Sequence, residues 1–540
     1  LLLDCGSTGS RSFVFRFTET LDTENDEKLI SRTVTPITTM KIKRGISSFA
    51  DENSSEYAVA NHLMPMFVNA SLAIPIEKHA NTQVFIKGTA GMRLLPIKKQ
   101  EEIWTNIMKI NDNNANPFHI KKENLGTING DDEAYYAVLA SNYIAKTIDG
   151  KLNRVSGMEM VGALDMGGSS TQLIFYVGNG NGNGNNNSDK DNDNQSEDPV
   201  NASDFWSYSW LNYGAELVRE RLQTLLIERH IAQGGVKYSP TNADTNADTN
   251  TNGAPTIVHN PCMQQGYSAL IEYNSDNGSD SDNDNVEKGK GLYSGTYHIE
   301  GDGKPYKCLK LISQVLWPNN SCHRLANIEK EGSLWPDSDS SKSTVTSNVD
   351  TDTDTVTDRD RDGDMWHPCY VGGVQHPSLQ GHFYGMSVYY YANDAINTIL
   401  KTAKSENENE NSVGSASASL WPNPTINELE AAAVEFCQIQ WPGKPLEKSS
   451  DWSKLHPYSG NSQLPHRCFE GLYMALLLEH GFGFNGSERH ITFALDIEGH
   501  EVEWTLGFAL ANVYLNLNLN LNLNRLNSAV HTTTITDNEL

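Results

Sequence analysis

The chain has 540 residues, with 41 Lys and Arg against 68 Asp and Glu and a formal net charge of −27. That length can bury a large core in one or two domains of ordinary size, and that charge argues against a nucleic-acid partner. Much of the acidity sits in biased tracts at 178–198, 241–253, 274–285, 350–364 (inside a wider insert at 337–364) and 405–419. These tracts have too little apolar surface to offset the entropy of ordering, so they read as disordered surface inserts and their charge says nothing about a site.

In chain order, Leu1–Asp4 and Ser12–Phe17 read as strands joined by a tight Gly/Ser/Thr turn, with Phe13, Phe15 and Phe17 on one face. A helix follows over Glu56–Leu72, then a strand entering a loop in "QVFIKGTAG", and helices over Arg93–Ile110 and Glu133–Ile148. Met160–Asp165 and Thr171–Val177 form a second strand pair. Helical periodicity returns over Gly214–His230, Tyr384–Leu400, Ile426–Ile439 and Arg467–His480. "HITFALDIEG" reads as a strand and "EVEWTLGFALANVY" as a closing helix, while "LNLNLNLNLNRLN" at 515–527 is a simple-sequence expansion at a frayed terminus. Such a mixture of strands and helices is α/β.

Trp504–Leu515, the longest apolar stretch near either end, is too short and too mixed to span a bilayer. The chain starts in mid-strand without Met, which leaves room for a signal or anchor outside it. Of seven cysteines, Cys5 stands alone, and Cys262, Cys308, Cys322, Cys369, Cys437 and Cys468 cluster without a C-x-x-C pair. That pattern fits disulfides in an oxidising compartment, in pairings left open, better than zinc. Eight N-x-S sequons, at Asn53, Asn69, Asn186, Asn194, Asn201, Asn277, Asn319 and Asn485, point weakly the same way.

The two strand pairs share one design. With Asp4 set on Asp165, Gly6 meets Gly167, Ser10 meets Thr171, and Phe13-Val14-Phe15 meets Ile174-Phe175-Tyr176. The glycines let the backbone N–H groups approach an anion, and the hydroxyls add donors, so each turn suits phosphate oxygens. The carboxylates would repel phosphate directly, but they could hold a divalent cation through water. No Walker A loop and no H-E-x-x-H occurs, and "DRDRDG" ends its would-be EF-hand loop on Cys369 rather than Glu.

"DCGSTGSR", "KGTAGMRLLP", "GDDEAYYAVLASNY" and "LDMGGSSTQ", in this order, make the chain resemble the apyrase family (nucleoside triphosphate diphosphohydrolases). "NPCMQQGY", "FYGMSVYYYANDAI", "RCFEGLYMALLLEHGFGF" and "GHEVEWTLGFAL" agree, the last two looking most like its Golgi and endosomal branch. The resemblance covers nearly the whole chain apart from the inserts and the tail after about Leu515.

It implies two RNase H-like lobes of the actin–hexokinase type, here 1–130 with 496–540, and 131–495. Carried over by motif, Ser7, Thr8, Gly9, Ser10 and Arg11, with Gly167, Gly168, Ser169, Ser170 and Thr171, match phosphate loops. Asp4 and Asp165 match carboxylates that hold the water shell of Ca²⁺ or Mg²⁺. Glu133 matches the catalytic base, Gln172 a glutamine that positions the attacking water, and Thr89 and Arg93 a motif closing the site. Tyr390 matches an aromatic that stacks on the nucleobase, and Trp504 with Gly507 a W-x-L-G motif.

Each residue also has a plainer reading. Glu133, with Asp131 and Asp132, suits a helix N-terminus; Arg93 suits a cap or ion pair; Tyr390 and Trp504 suit core packing. Departures from the family pattern are Cys5 for Ala, Ala134 and Val138 where Gly and Trp are common, and His382 where Asp often follows the glycine. The implied activity is hydrolysis of nucleoside tri- and/or diphosphates in the secretory pathway, in the Golgi lumen or at the cell surface. A membrane anchor would lie outside the chain, and no obligate protein partner is implied. The alternatives are a non-catalytic nucleotide-binding glycoprotein and a kinase of the same superfamily.

Overall fold

The chain builds the same five-stranded sheet twice, the first time from one stretch and the second time from three. The computed structural model describes residues 1–22, 28–50, 57–178, 199–238, 256–273, 294–318, 322, 369–407, 421–441, 456–460, 462–497, 500–501 and 503–512. Nearly all of the acidic inserts, the 515–527 repeat and the sequons at Asn53, Asn186, Asn194, Asn277 and Asn319 lie outside the described residues.

The first sheet uses β1 (Leu2–Cys5), β2 (Gly9–Asp22), β3 (Lys28–Lys43), β4 (Phe85–Gly88) and β5 (Leu125–Thr127), in the order β3-β2-β1-β4-β5. The second uses β6 (Gly162–Met166), β7 (Ser170–Tyr176), β8 (Phe205–Leu211), β12 (Phe383–Ser387) and β13 (Ile491–Phe493), in the order β13-β12-β6-β7-β8. In each sheet the first three strands in sequence run antiparallel and the last two join in parallel. The α/β expectation holds, and it holds as a repeat. β6 is buried at all five positions, as a strand flanked on both sides should be.

The connections explain where the sequence reading slipped. Between β3 and β4 lies α1 (Ala58–Ala73), and between β4 and β5 lie α2 (Ala90–Arg93) and α3 (Ile97–Ile107). The expected single helix from Arg93 breaks because Pro96 takes the cap position and its ring disfavours helix at the residue before it. Tyr384–Ser387 belongs to β12 rather than to the helix expected there; that helix starts at 388 and runs to 407. α4 (Gly130–Ile144) begins earlier than expected, where Asn129 Oδ1 accepts the Asp132 N–H at 2.7 Å and three acids fill the first turn.

By its contacts the chain separates into two units, Leu1–Glu216 with 380–390 and 491–540, and Leu217–Leu379 with 391–490. Both sheets belong to the first unit. One of its cores gathers Leu3, Val14, Leu63, Phe67, Ile86 and Ile107 around the first sheet. Another joins α4 and helix 504–512 through Val138, Trp504 and Phe508. Gly507 makes that joint close, because a Cβ there would stand 1.8 Å from the Tyr136 carbonyl oxygen.

The second unit carries most of α5 (Ala215–Ala232), β9 (Ile257–Asn260), β10 (Ser268–Tyr273) and β11 (Gly295–Gly301) in the order β10-β11-β9, and α6 (Pro305–Leu316). Helices 426–438 and 467–476 pack in it as well. Disulfides join Cys262 to Cys308, Cys322 to Cys369 and Cys437 to Cys468, and Cys5 is free and buried. The cysteine cluster is therefore a disulfide set, all of it in this unit. No helix among the described residues is long and apolar enough to cross a membrane.

Candidate active site

The two Gly/Ser turns lie at matching ends of β1 and β6, and in the first unit they meet. A Cβ on Gly168 would stand 2.9 Å from Ser7 Oγ, and one on Gly91 would stand 2.7 Å from Ser7 Cα. The second turn and the "GTAGMR" segment thus both press on the first turn. Each turn is braced in the same way by the chain leaving the third strand of its sheet. Arg44 N–H donates to Thr8 O at 3.0 Å, and Asn212 N–H donates to Ser169 O at 2.8 Å. Arg44 and Asn212 both have positive φ, 76° and 72°. The glycine that follows packs on turn backbone: a Cβ on Gly45 would stand 2.1 Å from Ser7 O, and one on Gly214 2.4 Å from Gly168 C. Sequence reading missed both braces, although "RG" and "NYG" directly after an alternating run were a usable signal.

Asp4 and Asp165 occupy equivalent strand ends. Their Oδ1 atoms are buried and accept no hydrogen bond. Burial pushes the Asp4 carboxyl up to about 6, against the pull of the Arg11 guanidinium and with a further push from Asp165. Trp504 hydrogen-bonds the Asp4 carboxylate, so Trp504 is both core and contact. Asp165 is likewise raised by burial, opposed by a hydrogen bond from Ser387 and by Arg11. Ser387 holds φ 57° at the strand-to-helix junction, a feature no motif announced. Arg11 pairs across the first hairpin with Asp4 and makes an ion pair with Glu503.

Glu133 sits in the first turn of α4, 7% exposed. Its Oε2 accepts from Arg93 Nη1 at 2.8 Å and from Gln172 Nε2 at 3.3 Å. Arg93 also reaches Ile128 O and Ser170 Oγ, each at 3.2 Å. Gln172 reaches Ser170 Oγ at 2.8 Å and Ser209 Oγ at 3.0 Å. Burial pushes Glu133 up to about 7, opposed by Arg93 and reinforced by Asp165. Ser209, on β8, escaped the sequence reading.

The other candidate residues are held by their own elements. Thr171 Oγ1 donates to Asp165 O at 2.9 Å and lies 3.1 Å from the buried Tyr389 hydroxyl. Thr89 stands at the N-cap position of α2, without a side-chain cap, and donates its N–H to Cys5 O at 3.3 Å. Ser10 is buried opposite Cys5 in the hairpin register. Gly9 abuts β3, where a Cβ would stand 2.7 Å from Ile42 O, and Gly167 donates its N–H to Ser170 O at 2.9 Å. Tyr390 stands half-buried in the first turn of helix 388–407. Ala134 and Val138, the departures from the family pattern on α4, are fully buried in its core. Among the described residues no three His, Cys, Asp or Glu side chains form a direct metal cage.

A buried carboxylate with a near-neutral pKa, hydrogen-bonded to an arginine and to a glutamine on the strand that leaves the second Gly/Ser turn, suits proton removal from a water. A family model, that of the GDA1/CD39 (nucleoside phosphatase) family, matches residues 1–330 and 351–526. The chain belongs to the GDA1/CD39 family. Membership gives its enzyme class, a nucleoside phosphatase.

Among relatives, a protein named Golgi apyrase from Saccharomyces cerevisiae is 24% identical, over 94% of this chain and 69% of its own length. Ectonucleoside triphosphate diphosphohydrolase 8 of Bos taurus is 24% identical over 94% of this chain and 81% of its own. Nucleoside-diphosphatase mig-23 of Caenorhabditis briggsae is 23% identical over 94% and 75%. A solved structure of nucleoside triphosphate hydrolases from Neospora caninum shares the fold, with a TM-score of 0.55, 13% identity, and 95% of this chain and 92% of that one covered.

Proposed function

We propose that this GDA1/CD39 member releases the terminal phosphate of nucleoside tri- and/or diphosphates by attack of a water that Glu133 deprotonates. The observation that carries the reading is the Glu133 cluster. Arg93 and Gln172 both bind Oε2, so Oε1 is left to take the water's proton. Ser170 Oγ accepts from Arg93 and Gln172, which leaves its own hydrogen for the water or a phosphoryl oxygen. The base, the water-orienting amide and the second phosphate turn are thereby fixed before substrate arrives, which is how such a reaction is accelerated without a covalent nucleophile. In the balance of the step, the water's oxygen bonds to the terminal phosphorus, its proton passes to Glu133, and the bond from phosphorus to the leaving nucleotide's oxygen breaks.

The turns at Ser7–Arg11 and Gly167–Thr171 would hold the phosphates, with Thr89 and Arg93 closing over them and Tyr390 stacking on the base. Asp4 and Asp165 suit a divalent cation, Ca²⁺ or Mg²⁺, through water: two buried Oδ1 atoms without hydrogen bonds repel each other until a positive charge arrives. When bound, the cation would neutralise charge on the polyphosphate. Under this reading the lobes are 1–130 with 496–540, and 131–495. The disulfide set and relatives that include a Golgi apyrase support a secretory-pathway location, Golgi lumen or cell surface.

The test is inorganic phosphate release from a panel of nucleoside di- and triphosphates, in Ca²⁺, in Mg²⁺ and in EDTA. Metal-dependent release is expected. Its absence across the panel would leave a binding protein on a hydrolase fold.

A further inference from the structure

A cavity of about 770 Å³ opens in the first unit, and Lys87, His119, Lys121, Asp132, Tyr136 and Phe508 are among its lining. None of these six belongs to the phosphate turns or to the Glu133 cluster. The volume falls within the range of small-molecule sites and well exceeds what an inorganic anion fills.

Lys87, on β4, is the group that calls for a ligand. It is partly buried, and among the described residues its ammonium has no hydrogen-bond or ion-pair partner; the Phe508 ring centroid lies 5.7 Å away. Burial draws its pKa below the ordinary lysine value. An ammonium partly withdrawn from water, with no carboxylate among the described residues in pairing distance and an open cavity beside it, is placed to pair with an entering anion. Lys121 and His119, exposed along the same lining, have no carboxylate partner among the described residues.

The rest of the lining narrows the class. Phe508 meets Tyr136 edge-on at 5.2 Å and Phe85 at 5.3 Å, which builds an aromatic wall. Glu123 and Asp132 also line the cavity, so a bare polyanion would meet repulsion as well as attraction. A flat ring that carries an amino group and an anionic tail meets all three features. The ring packs on the aromatics, the tail pairs with Lys87 and Lys121, and the amine faces an acid.

We propose that this cavity is a second ligand site, separate from the phosphate turns, for an amino-bearing aromatic anion of the nucleoside monophosphate class. It shares a wall with the base cluster. Ile128 lines the cavity and its carbonyl accepts from Arg93, and Asp132 directly precedes Glu133 on α4. Occupancy is therefore felt at the base.

Calorimetry of adenosine monophosphate binding to the full chain tests this, with a non-hydrolysable nucleoside triphosphate analogue and Ca²⁺ saturating the phosphate turns. One equivalent of the monophosphate should bind beside the analogue. Binding should weaken at least tenfold in Lys87→Met and severalfold in Lys121→Gln, the latter an exposed change that leaves folding intact. No binding beside the analogue, or unchanged affinity in both variants, overturns the proposal. Equal affinity for inorganic phosphate overturns the aromatic class.

Discussion

Under the proposed mechanism Glu133 would ionise where it is used. A carboxyl pushed up to about 7 is half ionised near neutral pH, the condition under which a general base works best. Glu133→Gln should lower kcat by roughly 10²–10⁴-fold while nucleotide binding, read by calorimetry, persists. Arg93 favours the ionised form, so Arg93→Met should move the ascending limb of the pH–rate profile to higher pH; an unmoved limb would detach Arg93 from the base. At this scale the motifs named residues that the fold brings together, Arg93, Glu133, Ser170 and Gln172, because a carboxylate and a Gly/Ser turn announce their chemistry by residue type. Ser209 and Ser387 were illegible: a lone serine reaches the site only through strand register or an unusual φ, which spacing does not encode.

Glycines that hold elements together are the clearest consequence of the repeat. Gly45 and Gly214 occupy matching posts beneath the two turns, and Gly507 lets helix 504–512 close on α4. Gly214→Ala would place a Cβ 2.4 Å from backbone, so the second turn must shift. If the turn holds phosphate as proposed, the expected signature is a fall in kcat of tenfold or more with Tm lowered by only a few degrees, read by phosphate release and thermal melts. Gly507→Ala, at 1.8 Å from the Tyr136 carbonyl oxygen, should instead lower stability by roughly 1–3 kcal/mol or more, seen in thermal melts. The strands next to motifs were legible, whereas β3 and β8 were missed. β3 is an edge strand interrupted by Pro36, whereas Trp206-Ser207-Tyr208-Ser209-Trp210 in β8 alternates cleanly and was a strand signal left unread. The helix boundary errors at Pro96 and Ser387 come from local backbone rules that override periodicity.

Across the whole molecule, buried acidic groups work against the fold as pH rises. Asp4 and Glu133 have folded pKa values of about 6 and about 7, above their ordinary 3.8 and 4.5, so the native state holds protons the unfolded chain has released. Their contribution therefore weakens as pH rises through this window, by on the order of 3 kcal/mol each. In EDTA, Glu133→Gln should raise Tm more at pH 7.5 than at pH 5. Equal shifts at both values would mean that Glu133 is not buried as a titrating group. The disulfides act in the second unit: opening Cys437–Cys468, at a sequence separation of 31, should cost about 2–4 kcal/mol in denaturant melts.

The measurement that tests the account most directly is the pH dependence of phosphate release from nucleoside di- and triphosphates, with Ca²⁺ or Mg²⁺ and with EDTA, for the wild-type chain and Glu133→Gln. The account predicts metal-dependent release that rises to a plateau with a midpoint near 7 and collapses in the variant. Release that is unchanged in Glu133→Gln would contradict it.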